Sequence, residues 1–378
     1  MDGASNGRTV EWVPGQARDT GFIEPESRMN AEEDEVLFEV RGRAGLITLN
    51  RPKALNALTL GMVRAMRAQL AAWADDRAIE RVVIEGAGDR AFCAGGDIRV
   101  LYDWGLAKDP SFIAFYREEY LLDAAIKRFP KPWVAVMDGI TMGGGVGVSV
   151  HGSHRIATER LTFAMPETGI GLFPDVGGTY FLPRCPGETG MYLGLTGARL
   201  RAADALYTGI ADVHVGSDRI AALRDALCAE ADLDGAIGRF AQDPGPAPMA
   251  EHRDAIDRCF SAASVEAIVA ALKAEGGEWA AGTARTIAAK SPTSLRITYR
   301  QLRKGAGLGF EDCMTLEFRM VHGILAGHDF FEGTRAVVID KDQDPRWQPS
   351  VLAEVGEADV AHYFAPRAEE LPLPAEGA

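Results

Sequence analysis

Short apolar runs alternate with helical periodicity in the first half of the chain. Residues 36–40, 46–49, 81–84 and 132–137 are rich in apolar and β-branched side chains, which is typical of buried strands. Between the second and third runs, Thr59 can cap a helix. The apolar positions of that helix recur at near-helical spacing: Met62, Met66, Leu70 and Trp73. This alternation of strand, strand, helix and strand predicts a mixed α/β fold.

The second half of the chain has a different pattern. Ala-rich stretches of helical character cover residues 221–240, 263–275 and 279–290, and a Pro-rich linker occupies residues 242–248. A last helix at 310–322 is expected to precede a polar tail. The sequence therefore predicts four regions, which are a flexible extension (1–30), an α/β core (31–230), a helical C-terminal region (231–365) and a flexible tail (366–378).

Composition limits the partners that the protein can have. The chain of 378 residues is 47% hydrophobic, enough for a sizeable core, and its 54 acidic against 40 basic side chains give a formal charge of −14. Such a charge repels nucleic acid and anionic membrane surfaces at long range. We expect no nucleic-acid or membrane partner, and an anionic ligand would have to be held by local groups.

The cysteines and apolar segments indicate the compartment. The five cysteines are scattered without a CxxC pair, so neither a disulfide framework nor a zinc knot is indicated. No apolar run reaches the roughly 20 residues of a membrane span, and the N-terminus lacks the apolar stretch of a secretory signal. We expect a reducing compartment, namely the cytoplasm, or the mitochondrial matrix if the source is eukaryotic.

Two glycine-rich segments could bind an oxyanion. Residues 91–98 (AFCAGGDI) and 142–147 (MGGGVG) each follow a buried strand, and free amides there could face a ligand. Each segment alone could also be a tight turn before a helix. Neither fits a P-loop or a dinucleotide fingerprint. Cys93, within the first segment, is interpreted as a core residue because no base lies near it in sequence.

Carboxylates stand out in the next segment. Glu167 and Asp175 lie eight residues apart in an apolar stretch punctuated by Gly and Pro, so each is either functional or paired. By contrast, local pattern alone places Glu119 on a solvated helix face. His151 and His154 lack a third ligand at metal spacing, and no GxSxG nucleophile elbow is present. Metal-dependent and serine-hydrolase chemistry are therefore disfavoured.

Six segments together resemble a known family. Residues 50–58 (NRPKALNAL), 91–98 and 139–145 (GITMGGG) look like the three successive signatures of the crotonase superfamily. Residues 165–168 (MPET), 171–178 (GLFPDVGG) and 327–333 (GHDFFEG) are similar to the 3-hydroxyisobutyryl-CoA hydrolases within it. The resemblance extends from about residue 36 to 355 and implies a spiral of repeated ββα units whose helical C-terminal region closes over an acyl-CoA.

The resemblance also implies roles for single residues. The amides of Gly96 and Gly144 would form the oxyanion hole for a thioester carbonyl. Glu119, Glu167 and Asp175 would be carboxylates of the substrate site. Glu167 would act as nucleophile or as general base on water, and Asp175 would position the substrate hydroxyl or assist proton transfer.

Further positions follow from the same resemblance. Hydratases of the superfamily use two glutamates, and the position that matches the first of them is Gly147 here, which disfavours hydration. The side chains of Arg51 and Lys53 would lie near the CoA arm of the substrate. The backbone of four residues would also contact it: Ala54, Leu55, Ala94 and Ile98.

The resemblance finally implies an activity. We expect hydrolysis of the thioester of a 3-hydroxyacyl-CoA, foremost 3-hydroxyisobutyryl-CoA of valine breakdown, with CoA as part of the substrate and no cofactor or metal. Alternatives are an enoyl-CoA hydratase or isomerase and a catalytically silent acyl-CoA-binding protein. A homo-oligomer is possible, and monomer, dimer and trimer all stay open.

Overall fold

The computed structural model describes residues 34–373, and from Glu35 onward the chain forms one compact unit. The strands are β1 (Val36–Arg41), β2 (Ala44–Leu49), β3 (Arg81–Gly86), β4 (Ala91–Cys93), β5 (Trp133–Met137), β6 (Ile140–Met142), β7 (His154–Ala157), β8 (Thr162–Ala164) and β9 (Val213–His214). The predicted extension at 1–30 and the last five residues of the predicted tail lie outside the described residues.

The helices divide between the two halves of the chain. They are α1 (Leu60–Asp75), α2 (Ile98–Ala107), α3 (Ser111–Lys127), α4 (Gly144–Val150), α5 (Gly178–Phe181), α6 (Thr189–Thr196), α7 (Ala202–Tyr207), α8 (Ile220–Ala229), α9 (Leu233–Gly238), α10 (Arg253–Phe260), α11 (Val265–Glu275), α12 (Gly277–Ala288), α13 (Pro292–Gly305), α14 (Phe310–Ala326), α15 (Asp329–Thr334) and α16 (Glu357–Tyr363). No helix in the range 34–373 has the length and apolarity to cross a bilayer.

The strands form two sheets, and from β3 to β8 successive strands alternate between them. A six-stranded sheet has the order β1-β2-β3-β5-β7-β9, and a three-stranded sheet has the order β4-β6-β8. The pair β1-β2 is antiparallel, and the other pairs are parallel. The first unit contributes both β1 and β2 to the large sheet. Each of the next three units contributes one strand to the large sheet, the next strand to the small sheet and then helical segments. This is the predicted spiral of repeated ββα units.

Helix α1 illustrates how local sequence directs this packing. The Thr59 side chain accepts a hydrogen bond from the amide of Met62 and so satisfies one of the free donors at the helix start. The four apolar positions predicted to share a face are all buried, with Trp73 the most exposed of them at 4%. They pack in the main core, which lies between the sheets and the helices. The periodicity prediction for this segment is confirmed.

The C-terminal region is helical as expected, but it does not end in a polar tail after residue 322. Helix α14 continues to Ala326, and α15 and α16 follow it. The sequence pattern misses them because each is short and buries only a few apolar side chains, among them Phe330 and Val360, both 1% exposed. The predicted boundary at residue 230 between the core and the helical C-terminal region stays a prediction. Helix α14 packs on α3, and α15 packs on the turn that begins at Glu167.

Candidate active site

The three segments that carried the strongest sequence signals follow the three strands of the small sheet. Gly95 and Gly96 come shortly after β4, Gly143 and Gly144 directly after β6, and Glu167 shortly after β8. Strands β4, β6 and β8 are parallel, with Met142 of β6 opposite Ala164 of β8. Because the carboxyl ends of parallel strands meet at one edge of a sheet, these segments lie side by side.

Two backbone amides converge at this edge. A Cβ built on Gly144 would lie 3.4 Å from the amide nitrogen of Gly96, and one built on Gly95 would lie 3.6 Å from the amide nitrogen of Gly144. Within the described residues, neither amide donates a backbone hydrogen bond. Gly144 begins α4, so its N–H has no acceptor within that helix. The pair is suited to holding an oxygen that develops negative charge.

A cavity of about 140 Å³ opens in front of these amides. Its apolar wall includes Ile98, Leu101, Phe115, Ile170 and Leu172. The three carboxylates that the resemblance implies, Glu119, Glu167 and Asp175, also line it, together with Ala94, Gly96 and Gly144. Seven of the eleven predicted site residues therefore surround one space that is mostly apolar, as small-molecule sites usually are.

The carboxylates are buried with few partners. Glu119, Glu167 and Asp175 are 2%, 4% and 4% exposed. The hydroxyl of Tyr120 donates a hydrogen bond of 3.0 Å to Oδ2 of Asp175. Within the described residues, Oε1 of Glu119 and Oε2 of Glu167 have no hydrogen-bond partner. Oxygens left in this way inside a cavity are free to contact a substrate or water.

Burial shifts the protonation of these acids. It is the largest cause that raises the pKa of Glu167 well above its usual range, and Asp175 adds to the shift while Lys290 opposes it. Burial raises the pKa of Asp175 to about 7, against the lowering effect of the Tyr120 hydrogen bond. The pKa of Glu119 is also raised well above the ordinary value, first by burial and then by Asp175 and Glu317. An acid titrating near neutrality is suited to proton transfer.

Helix α3 supplies one side of the site, and here the local prediction was wrong. The neighbouring Glu118 pairs with Arg67, but Glu119 turns inward to face Gly144. Polar residues at 116, 119, 120 and 123 are all buried and follow helical spacing, so a polar stripe on a buried helix face was present in the sequence. Tyr120 and Asp123 belong to this stripe and were missed.

Position 147 has no room for a side chain. A Cβ built on Gly147 would lie 2.6 Å from Oδ1 of Asp123 and 2.9 Å from Cβ of Val176. Asp123 is fully buried, and neither of its carboxyl oxygens has a partner within the described residues. The space that a second glutamate would need at position 147 is therefore already filled.

The predicted CoA-side residues form a separate loop. Lys53 and Ala54 lie in a short 3-10 turn, and the amide of Ala94 donates to the carbonyl of Leu55, which ties this loop to the first glycine segment. Arg51 is engaged inside the protein, because its guanidinium contacts Glu35, Asp97 and the carbonyl of Ala57. Binding of CoA by Arg51 stays a prediction, and the exposed Lys53 is the better placed of the two cations.

The three remaining candidates, His151, His154 and Cys93, do not line the cavity. Nε2 of His151 lies 2.7 Å from the carbonyl oxygen of Val176, whereas His154 contacts Ser153 and Asp234, so the two rings do not share a site. Cys93 is buried in the core, and burial raises the pKa of its thiol to about 12. Such a thiol is a poor nucleophile, in agreement with its interpretation as a core residue.

Comparison with known proteins identifies the family of this fold. Residues 44–364 match the family model described as enoyl-CoA hydratase/isomerase, which covers most of the chain. The chain therefore belongs to the enoyl-CoA hydratase/isomerase family of crotonase-fold proteins.

Within that family, curated relatives carry a more specific name. The mitochondrial 3-hydroxyisobutyryl-CoA hydrolase of Danio rerio is 49% identical over 341 residues, which cover 88% of this chain and 89% of the relative. The mitochondrial 3-hydroxyisobutyryl-CoA hydrolase of Homo sapiens is 47% identical and covers 88% of each chain.

Two solved structures are similar over nearly the whole chain. A carnitinyl-CoA dehydratase from Mycobacterium thermoresistibile superimposes with a TM-score of 0.87 at 45% identity, covering 91% of this chain and 100% of the other. An enoyl-CoA hydratase from Rhodobacter sphaeroides 2.4.1 has a TM-score of 0.82 at 41% identity, covering 88% and 97%. Fold similarity alone therefore leaves the reaction to be argued from the site.

Proposed function

We propose that this protein hydrolyses the thioester of 3-hydroxyisobutyryl-CoA to 3-hydroxyisobutyrate and CoA, a step of valine breakdown. The observation that carries the proposal is the convergence of two free glycine amides with the buried Glu167 and Asp175 at one end of the small sheet. Curated relatives at 47–49% identity bear the name of this reaction, which supports the same substrate.

The first chemical step is attack on the thioester carbonyl carbon. Either the carboxylate of Glu167 adds directly, or it takes a proton from a water molecule that adds. The carbonyl oxygen becomes an oxyanion that accepts hydrogen bonds from the amides of Gly96 and Gly144. Collapse of this intermediate breaks the C–S bond. The CoA thiolate leaves as the thiol after taking a proton from Glu167 in the water route, or from protonated Asp175, whose pKa is about 7, in the covalent route.

The two routes differ in whether Glu167 becomes acylated. In the covalent route, water must then hydrolyse a mixed anhydride on Glu167, and Asp175, whose pKa is about 7, can take the proton from that water. A single turnover in ¹⁸O-labelled water, followed by mass spectrometry of the Glu167 peptide, distinguishes the routes. Label in the carboxyl group of Glu167 means that an anhydride formed. Water that attacks the acyl carbonyl of the anhydride leaves Glu167 unlabelled, so the base route is supported only if trapping also detects no acyl-Glu167 adduct.

Substitution Gly144→Ala is expected to lower kcat by about 10²- to 10³-fold, the usual effect of losing one oxyanion-hole donor. Alanine keeps the N–H group, so the effect comes from displacement of that amide. The added methyl group would lie 2.3 Å from Oε1 of Glu119 and 3.0 Å from Cδ1 of Leu58, so these side chains or the start of α4 have to shift. The rate of CoA release from 3-hydroxyisobutyryl-CoA, followed with a thiol reagent, measures this effect.

Gly238→Ala is the matched control, because no atom lies within 4 Å of its added methyl group. It should leave kcat within about twofold, since exposed substitutions away from special features have small effects. An unchanged kcat in a folded Gly144→Ala variant would contradict the expected displacement, and would mean that the side chains of Glu119 and Leu58 accommodate the methyl group while the amide stays in place.

Hydration of a double bond is the second candidate, because both similar solved structures carry dehydratase or hydratase names. The filled space at Gly147 opposes it, since Asp123 and Val176 leave no room for a second acid there. We expect rapid thiol release from 3-hydroxyisobutyryl-CoA and no loss of the crotonyl-CoA enoyl absorbance. The reverse outcome would make the protein a hydratase, and no turnover of either would favour an acyl-CoA-binding protein.

The remaining expectations belong to the same proposal. The reaction as written needs water and the acyl-CoA alone, so no cofactor beyond the CoA of the substrate is proposed. For the compartment we retain the cytoplasm, or the mitochondrial matrix in a eukaryotic source, where the names of the curated relatives place those proteins. A homo-oligomer stays possible, and light scattering on the purified protein would determine the number of chains.

A further inference from the structure

The turn that carries Asp175 has a strained backbone. Val176 has a φ of 49°, and the following Gly177 has a φ of 85°. The left-handed region is unfavourable for a β-branched residue, whose Cβ substituents crowd the backbone there. Val176 is also buried, at 1% exposure, so the turn cannot relax outward without exposing it. Such a conformation persists only where the surroundings hold it from several sides.

Three buried polar side chains from distant parts of the chain hold this turn. His151, at the end of α4, lies with Nε2 2.7 Å from the carbonyl oxygen of Val176. Burial lowers the pKa of His151 to about 4, so its neutral ring can donate through Nε2–H. Gln301 of α13 donates through Nε2 to the carbonyl of Pro174 at 2.6 Å and to the hydroxyl of Thr179 at 2.7 Å.

Glu317 of α14 accepts two hydrogen bonds from backbone amides of the turn. Its Oε2 accepts the amide of Gly177 and its Oε1 accepts the amide of Thr179, both at 2.8 Å. These amides start the short helix α5, where N–H groups have no acceptor within the helix. Glu317 is fully buried and does not line the cavity. A carboxyl group is costly to bury without hydrogen-bond partners, and the two amides supply partners for both of its oxygens.

We propose that Glu317 is a positioning residue for the reaction: by holding the amides of Gly177 and Thr179, it keeps the strained turn in the conformation that aims Asp175 into the active-site cavity. The inference rests on the proposed function, because it assigns Asp175 a part in the chemistry. It also assigns a purpose to the C-terminal helical region, since α13 and α14 contribute Gln301 and Glu317 to a turn of the α/β core.

The consequence concerns the rate of the chemical step more than binding. Asp175 directly precedes Val176 in the chain. Relaxation of the Val176 backbone would therefore move the carboxyl group of Asp175 relative to Glu167 and the glycine amides. A substitution far from the reacting atoms that displaces a catalytic group by about 1 Å can lower the rate by about 10²-fold. Recognition of the CoA arm by the loop near Lys53 involves other segments and should change little.

Glu317→Gln is the sharpest test, because glutamine keeps the size of the side chain but places an NH₂ group against one of the two amide donors. We expect kcat for CoA release from 3-hydroxyisobutyryl-CoA to fall about 10²-fold while KM stays within about threefold. The matched control is Glu311→Gln on the same helix, where the carboxylate pairs with Arg128 away from the turn. It should change kcat by less than about twofold.

A double-mutant cycle with Asp175→Asn separates positioning from a general structural role. If Glu317 acts through Asp175, then Glu317→Gln should lower the residual rate of Asp175→Asn by no more than about twofold, because the group that it positions is already lost. A further 10²-fold loss in that background would overturn the proposal, as would a single-variant kcat equal to that of the Glu311→Gln control.

Two further arms keep the outcome interpretable. If Glu317→Gln does not accumulate as folded protein, Gln301→Met takes its place, because it removes both hydrogen bonds from α13 to the turn. The same fall in kcat, and the same absence of a further loss in the Asp175→Asn background, are then expected of Gln301→Met. The wild type tests the proposed function by itself. If it releases no CoA from 3-hydroxyisobutyryl-CoA but turns over another acyl-CoA, the proposed substrate is wrong, and the cycle is measured with that other substrate.

Discussion

Glu167→Gln is expected to lower kcat for thioester hydrolysis by at least about 10³-fold, at the upper range for loss of a nucleophile or general base. The glutamine amide can neither attack the carbonyl carbon nor accept a proton from water. Its shape is nearly that of glutamate, so the buried site should stay packed, and KM should change little. Stopped-flow detection of free CoA thiol gives both constants.

The control for this variant is Glu278→Gln, an exposed glutamate in the first turn of α12. It carries the same loss of charge on the surface, and we expect a rate within about twofold of wild type. A folded Glu167→Gln variant that retained more than about a tenth of the wild-type kcat would refute both routes proposed for Glu167, since each needs its carboxylate.

Asp175→Asn is expected to lower kcat by about 10²- to 10⁴-fold, the range for a residue that transfers protons in the reaction. The pKa of Asp175 is about 7, so the wild-type pH–rate profile should bend near neutrality, and the variant should lack that bend. Asp103→Asn on the exposed side of α2 is the control and should retain both the rate and the bend. An unaltered profile in Asp175→Asn would assign the bend to another group.

The same substitution should raise stability at alkaline pH. Because burial raises the pKa of Asp175 from 3.8 to about 7, the folded protein binds this proton more tightly than the unfolded chain does. The free energy of unfolding therefore falls as pH rises from about 4 to about 7 and then levels off. Asp175→Asn removes this contribution, which is on the order of a few kcal/mol above pH 7.

Urea denaturation of both proteins at pH 5 and pH 8 measures that difference. The variant should gain stability over wild type mainly at pH 8, and Glu317, whose pKa is raised to about 8 chiefly by burial, still titrates in both proteins. An equal difference at the two pH values would mean that Asp175 does not titrate with a raised pKa in the folded protein. A gain in stability beside a loss of rate is expected of groups held in place for chemistry.

Local sequence was sufficient for much of the α/β core. The stripe of α1 is directly visible as periodicity, and Thr59 caps that helix as its position predicts. The glycine segments at 91–98 and 142–147 could be assigned because a glycine followed by a helix start is a local signal. The resemblance then placed Glu119, Glu167 and Asp175 in one site, and the three line one cavity.

Local sequence failed where burial depended on a partner from elsewhere. Glu119 was predicted to lie on a solvated helix face because charged residues on helices are usually exposed to water. It is buried because α3 packs against α14 and against the start of α4. The contacts of the Arg51 guanidinium with Glu35 and Asp97 were likewise not visible in the local sequence, while its binding of CoA stays a prediction. Neither outcome is encoded in the residues that flank these positions.

The chain order of apolar runs and glycines was thus enough to specify the repeated ββα units, because strand and helix periodicity and backbone freedom are properties of neighbouring residues. The electrostatics of the site depend on contacts between residues more than a hundred positions apart, such as Glu317 with Gly177 and Gln301 with Pro174. Desolvation and hydrogen bonding of a buried acid are set by whichever groups the folded chain brings within a few ångströms, so they became known only from the packed protein.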